Sequence, residues 1–326
     1  MRSRMRDLQG AWRHRRLHRM MNLAVKAFAS ALLLCAASAL PAQDWAVKRL
    51  DASPRHHEYV TLKAAGRDVQ AFVVYPEVKS KATSIVLIPE IFGLSAWAKS
   101  MADDLAAAGY VVIAPDVLTG KGPNGGGTDS YPSQDQVTKA VSGLDPAEVL
   151  ADLDAAADYI RAVPAASGKF ASVGFCWGGG KSFAFATHRK DLSAAFVFYG
   201  PPPSDADIAN ITAPVYGFYA GNDARIDATI PATIAAMKTA GKTFEPVTYD
   251  GAGHGFMRAG VDPGNTVEGN KTAREQGFTR LTAELTKISK ATARTGKSKA
   301  RLYTPVTRKP TVVKAMQCHD TTMAGM

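Results

Sequence analysis

Three residues of this chain have the types and the order that acyl-transfer chemistry needs: Cys176, Asp223 and His254. A thiol attacks a carbonyl carbon as its thiolate, so it requires a base to take its proton and a third group to hold that base. Cys176 lies in Gly174-Phe175-Cys176-Trp177-Gly178-Gly179-Gly180, after the apolar run Ala171-Ser172-Val173 and before a segment that reads as a helix over residues 181–188. Gly-x-nucleophile-x-Gly between a strand and a helix is the pattern of a nucleophile elbow, a turn so tight that its flanking positions must lack side-chain bulk. At a helix N-terminus, unpaired N–H groups and the helix dipole also favour a thiolate and a developing oxyanion. A buried cysteine in a glycine-rich strand end is the competing explanation of the same run.

The rest of the chain supplies partners in order. The run Tyr216-Gly217-Phe218-Tyr219-Ala220 ends in Gly221-Asn222-Asp223, which puts Asp223 just past the C-terminal end of a strand. Val247-Thr248-Tyr249 then leads into Asp250-Gly251-Ala252-Gly253-His254-Gly255-Phe256, a glycine-rich loop holding one histidine. In open α/β sheets, loops beyond the carboxyl ends of the strands converge on one crevice. Nucleophile, acid, histidine is the order found in α/β-hydrolases. Asp227 and Asp250 are alternative acids; Asp223 is preferred because it sits at the strand end itself. An oxyanion hole needs two backbone N–H groups. Trp177, directly after the cysteine, supplies one, and Ile91 of Pro89-Glu90-Ile91-Phe92-Gly93 is the expected second. Glu90 is a carboxylate placed right after an apolar strand and beside that expected hole. His56 and His57 have no Cys/His spacing around them, and this chemistry calls for no metal or other cofactor.

These residues must be positioned by a particular kind of sheet. Short β-rich runs are expected over residues 59–62, 69–75, 84–88, 111–114, 171–174, 195–199, 215–219 and 244–249. Helical stretches fall between them, around residues 96–108, 146–163, 181–188, 228–240 and 272–288. The second of these has a clear start signal, with Asp145 as N-cap, Pro146 in the first position and Glu148 in the third. Strands that are apolar throughout and alternate with helices predict an α/β fold with a mostly parallel central sheet and helices on both faces. The first two runs are close together and alternate more, as an antiparallel hairpin at one edge would. The glycine-rich stretch at residues 119–128 does not match the phosphate-binding pattern, and it is expected to be a flexible loop at the rim of the site.

The net charge of +10 is misleading because it is concentrated at the two ends. Residues 1–26 carry eight Lys/Arg against one Asp, and residues 287–326 carry nine against one. The body between them is mildly acidic, so the charge is no argument for a nucleic-acid partner. Residues 1–42 have the pattern of a secretory signal peptide: basic residues, an uncharged apolar run over 27–40, then small residues around Ala39 and Ala42. The charged leader ahead of Met20-Met21 is longer than such a signal needs and reads as an upstream extension. The expectation is an exported protein, periplasmic or secreted, without stable membrane insertion once the signal is removed. Residues 43–290 read as one domain and 291–326 as a basic, disordered tail. Of the three cysteines, only Cys176 lies in the body, so this is no disulfide scaffold.

Six motifs together resemble the dienelactone hydrolase family. They are Pro89-Glu90-Ile91-Phe92-Gly93-Leu94, Gly109-Tyr110, Ala114-Pro115-Asp116, Gly174-Phe175-Cys176-Trp177-Gly178-Gly179, Gly221-Asn222-Asp223 and Gly253-His254-Gly255-Phe256. The similarity runs in register over about residues 59–288. It implies an α/β-hydrolase fold and a Cys176–His254–Asp223 triad that hydrolyses a small-molecule ester or enol-lactone through a thioester. It further implies that Glu90 contacts the resting cysteine and controls when it ionises, and that Arg258 helps to hold a substrate carboxylate. The family's second substrate-binding arginine has no counterpart between residues 114 and 145, where Lys121 and Lys139 are the only basic residues. The protein is expected to act as a monomer. The alternative is a non-hydrolytic binding or thiol-redox protein on the same fold.

Overall fold

The structure is a computed structural model, and it describes residues 43–295. The signal-peptide segment, Cys35, Cys318 and the tail beyond residue 295 lie outside the described residues. Eight strands form one sheet: β1 (His57–Ala64), β2 (Arg67–Val74), β3 (Ala82–Ile88), β4 (Val111–Pro115), β5 (Ala166–Phe175), β6 (Ala195–Phe198), β7 (Val215–Ala220) and β8 (Phe244–Tyr249). Their order is β1-β2-β4-β3-β5-β6-β7-β8. Only β2 runs against its neighbours, pairing antiparallel with both β1 and β4; every other pairing is parallel.

Burial explains why the strands read as continuous apolar runs. Every residue of β3, β4, β6 and β7 is buried. Because successive side chains point to opposite faces, one strand feeds two cores. Ile85 and Leu87 of β3 pack with α2 (Ala96–Ala107) and with the long last helix, through Trp97, Met101, Leu281 and Leu285. Val86 and Ile88 pack on the other face with α4 (Pro146–Ala162), α5 (Trp177–His188) and α8 (Ile230–Thr239), through Leu153, Phe183 and Met237. The start of α4 is the one the sequence signals, with the Asp145 carboxylate accepting from the Ala147 amide at 2.9 Å.

Several elements differ from expectation. Helix α5 begins at Trp177 rather than at residue 181, and its glycines, which disfavour a helix by propensity, include two, Gly178 and Gly179, that close backbone packing demands. The last helix, α10 (Glu268–Thr295), is longer at both ends than residues 272–288 and runs into the stretch expected to be a disordered tail. Helices α1 (Asp44–Asp51) and α3 (Gln134–Ser142) have no counterpart in the sequence reading. The first is joined to α2 where the Trp97 amide donates to Gln43 Oε1 at 2.8 Å. The second is capped by Ser133 and buries Val137 and Val141 against Leu118. Short helical turns occupy Asp205–Ile208 (α6), Ala224–Asp227 (α7) and Phe256–Ala259 (α9). The glycine-rich stretch 119–128 is not a free loop: it folds into two single 3-10 turns and is tied to the end of β4.

Strand β3 has β4 on one side and β5 on the other, so the connections leaving β3 part there. The crevice beyond such a switch point is where open α/β sheets bind ligands. The carboxyl ends of β3 and β5 carry Pro89–Gly93 and Cys176, respectively.

Candidate active site

Cys176 occupies the turn between β5 and α5 with φ 55 and ψ −115, a conformation that costs a non-glycine residue about 1–3 kcal/mol. The turn is held from both sides. The Cys176 amide donates to the Phe198 carbonyl at 3.0 Å, and the Cys176 carbonyl accepts from the Gly180 amide at 3.2 Å. No side chain fits around it: a Cβ on Gly174 would lie 1.9 Å from the Gly178 carbonyl oxygen, and one on Gly178 would lie 2.3 Å from the Ile88 carbonyl oxygen. The glycine spacing thus records backbone-to-backbone contact between β3, β5 and α5.

The histidine loop follows β8. Its shape depends on Gly251 and Gly255, both left-handed at φ 72 and φ 79. It is pinned where Asn270 Oδ1 accepts from the Gly253 amide at 2.8 Å and the Ala252 carbonyl accepts from the Asn222 amide at 2.9 Å. The second of these bonds joins the histidine loop to the Asp223 loop. As a result His254 Nε2 lies 3.0 Å from Cys176 Sγ, and its Nδ1 is hydrogen-bonded to Asp223 Oδ2. Asp223 is buried, whereas His254 keeps a third of its side chain exposed. Asp250 is exposed, and Asp227 hydrogen-bonds neither His254 nor Cys176, so Asp223 is the acid that the fold presents to the imidazole.

Burial alone would lower the His254 pKa, but hydrogen bonds to Cys176 and Asp223 and their negative charge outweigh it, raising the value to about 9. A raised imidazole stabilises the fold fully below its ordinary pKa of about 6.5. That contribution is lost as pH rises through about 9. The melting-temperature advantage of the wild type over His254→Gln is therefore expected to shrink between about pH 6.5 and 9. Thermal melts across that window check it, and an advantage that grows with pH contradicts it.

Ile91 and Trp177 both pack against the Leu118, Val137 and Val141 cluster under α3. Among the described residues, no hydrogen bond claims the amide N–H of either. The two amides expected to face a developing oxyanion are therefore free to donate. A groove of about 730 Å3 lies beside Phe92 and is also lined by Thr128, Tyr131 and Val137; Cys176, Asp223 and His254 do not line it.

Glu90 and Arg258 meet although they are far apart in sequence. Arg258 Nε donates to Glu90 Oε2 at 2.7 Å, and its guanidinium lies 5.0 Å over the Phe92 ring. Glu90 is only 3% exposed, and burial pushes its carboxyl pKa up against the pull of Arg258. In place of the contact between Glu90 and the cysteine that the family resemblance implies, each side chain has other partners here. Glu90 pairs with Arg258 and Tyr199, and Cys176 pairs with His254. Geometry supplies the reason: with the imidazole 3.0 Å from the sulfur, the thiol already has its partner. Of the two lysines between residues 114 and 145, Lys121 is bound to Glu148 at 2.8 Å, while Lys139 is exposed on α3. His57 bonds Asp103 at 2.8 Å, and among the described residues no cluster of side chains could hold a metal ion.

Tyr199 is the residue that sequence reasoning missed. It reads as the last residue of a buried strand, but it leaves β6 with φ 41 and turns its ring edge-on to His254, centroids 5.0 Å apart. Its hydroxyl donates to Glu90 Oε1 at 3.4 Å. Burial first, then the charges of Glu90 and Cys176, hold its pKa well above the ordinary phenol range. The available signal was its place at the carboxyl end of the strand beside the elbow, immediately before Gly200.

An eight-stranded sheet of this order, with an elbow after β5 and acid and histidine loops after β7 and β8, defines an α/β-hydrolase. The model of the dienelactone hydrolase family matches residues 69–289, and the chain belongs to that family. It is similar to the putative carboxymethylenebutenolidase of Saccharolobus solfataricus, 32% identical over 256 residues that span 69% of this chain and 96% of the relative. Its likeness to the protein of the same name from Methylorubrum extorquens is 32% over 200 residues, 58% of this chain and 68% of that one. Among solved structures, a putative dienelactone hydrolase from Klebsiella pneumoniae superposes with a TM-score of 0.63 at 26% identity, covering 71% of this chain and 98% of the other. The protein is accordingly a hydrolase of carboxylic esters or lactones.

Proposed function

We propose that this hydrolase acts on small carboxylic esters or enol-lactones through a Cys176–His254–Asp223 triad and a thioester intermediate. The observation that carries the reading is the line Sγ of Cys176, imidazole of His254, carboxylate of Asp223, formed on an elbow beside two unclaimed amides. His254 Nε2 takes the thiol proton, and the sulfur attacks the carbonyl carbon while the carbonyl electron pair moves to oxygen. The Ile91 and Trp177 amides donate to that oxyanion. Its collapse breaks the bond to the leaving oxygen, which receives the proton from His254. Water, deprotonated by the same nitrogen, then attacks the thioester and releases the acid, returning sulfur as the leaving group. Asp223 holds Nδ1–H throughout and favours the imidazolium.

Arg258, paired with Glu90 and lying over the Phe92 ring, supports a preference for substrates that carry an acid group. A substrate carboxylate there would compete with Glu90 for the guanidinium. Intact-mass measurement after brief exposure to p-nitrophenyl acetate tests the mechanism: an acetyl adduct that is lost with time and never forms in Cys176→Ala is the expected result. A sulfur that is only oxidised, never acylated, would instead point to a thiol-redox protein on this fold.

A further inference from the structure

We propose that Thr128 is a positioning residue for the oxyanion site, a role that rests on the acyl-transfer reading above. The glycine-rich loop matches no phosphate-binding pattern, yet it ends in a buried, directed chain of hydrogen bonds. The Leu94 amide donates to Thr128 Oγ1 at 3.1 Å, and that hydroxyl donates onward to Asp116 Oδ1 at 2.6 Å. The Thr128 amide donates to Asp116 Oδ2 at 2.8 Å, and the Leu118 amide to Oδ1 at 3.1 Å. Leu94, Thr128 and Asp116 are all buried. A hydroxyl has a single proton, so a carboxylate on one side leaves only its lone pairs for the amide on the other. The direction of the chain is thereby fixed.

The chain acts on the turn that carries Ile91. That turn is closed where the Gly93 amide donates to the Glu90 carbonyl at 3.1 Å, with Gly93 left-handed at φ 64. A Cβ on Gly93 would lie 2.5 Å from Thr128 Oγ1, so the hydroxyl sits close against the backbone of the turn. The Asp116 carboxylate likewise sits against Gly127, where an added Cβ would lie 2.2 Å from Oδ2. Asp116, just after β4, therefore sets the turn after β3 through a loop that neither strand would order alone. An oxyanion donor works only when aimed at one point, and a misplacement of about 1 Å is able to cost roughly 100-fold in rate. Of the loop's glycines, Gly127 is the one that lies against this latch.

The test compares two reactions at the same sulfur. Acylation by p-nitrophenyl acetate builds an oxyanion; alkylation by iodoacetamide displaces iodide from a saturated carbon and builds none. Thr128→Val keeps the shape and removes both hydroxyl bonds, while Thr128→Ser keeps them. The valine variant is expected to acylate on the order of 10-fold more slowly, with alkylation unchanged within about 2-fold. Serine restores acylation. If valine prevents folding, Thr128→Ala is read by the same ratio of rates. Unchanged acylation in the valine variant overturns the proposal, as does an equal fall in both reactions or a serine variant as slow as valine. A wild type that alkylates but never acylates overturns the acyl-transfer reading and this proposal with it.

Discussion

Cys176→Ala is expected to lower ester turnover by on the order of 10⁴- to 10⁶-fold, the scale on which acyl-transfer enzymes respond to loss of their attacking group. The fold should be little changed, because the elbow is set by glycine contacts and by backbone bonds to Phe198 and Gly180, none of which uses the thiol. Removing the sulfur also removes the largest single contribution that lifts His254, so the imidazole pKa should fall from its value of about 9. Steady-state hydrolysis of p-nitrophenyl esters, circular dichroism and an NMR titration of His254 read these outcomes together. Turnover retained at more than a few per cent of wild type would show that another group carries the reaction.

Asp223→Asn should be the next most damaging change, at on the order of 10³- to 10⁴-fold in kcat. An amide cannot favour Nδ1–H over Nε2–H as a carboxylate does, so the imidazole is offered to the thiol in the wrong tautomer. The side chain is buried and only one atom is exchanged, so packing is not the cause of the loss. Asp250→Asn, at an exposed position, is the matched control and should leave kcat within about 2-fold. If the two variants lose activity equally, the acid has been assigned to the wrong loop.

The strands were the most legible part of the fold. β3, β4 and β7 are sandwiched between helices, so both faces select apolar residues and the runs stand out without any alternation to decode. Helix α3 hid because only Val137 and Val141 mark its buried side, and two residues do not make a pattern. The elbow, the acid and the histidine could be placed because each lies at a strand end in a glycine-marked turn. The ring contact of Tyr199 with His254 could not be read, because a positive φ at a strand end leaves no trace in residue type. The Glu90–Arg258 pair links positions 168 residues apart, so it follows from topology rather than from any local pattern. The loop at 119–128 differs for a related reason: glycine content reads as freedom, but here the missing side chains of Gly122, Gly126 and Gly127 make room for Ser130 and Asp116.

The elbow has one more consequence, for anyone reshaping this protein. Where Gly174, Gly178, Gly179 and Gly200 come together, backbone meets backbone with no room for a methyl group. The location of the sulfur is thus written in absent atoms and is indifferent to what the reactive side chain is. The neighbouring groove, by contrast, is walled by side chains, Phe92, Tyr131 and Val137 among them. Substitutions find room in that wall and none at the elbow.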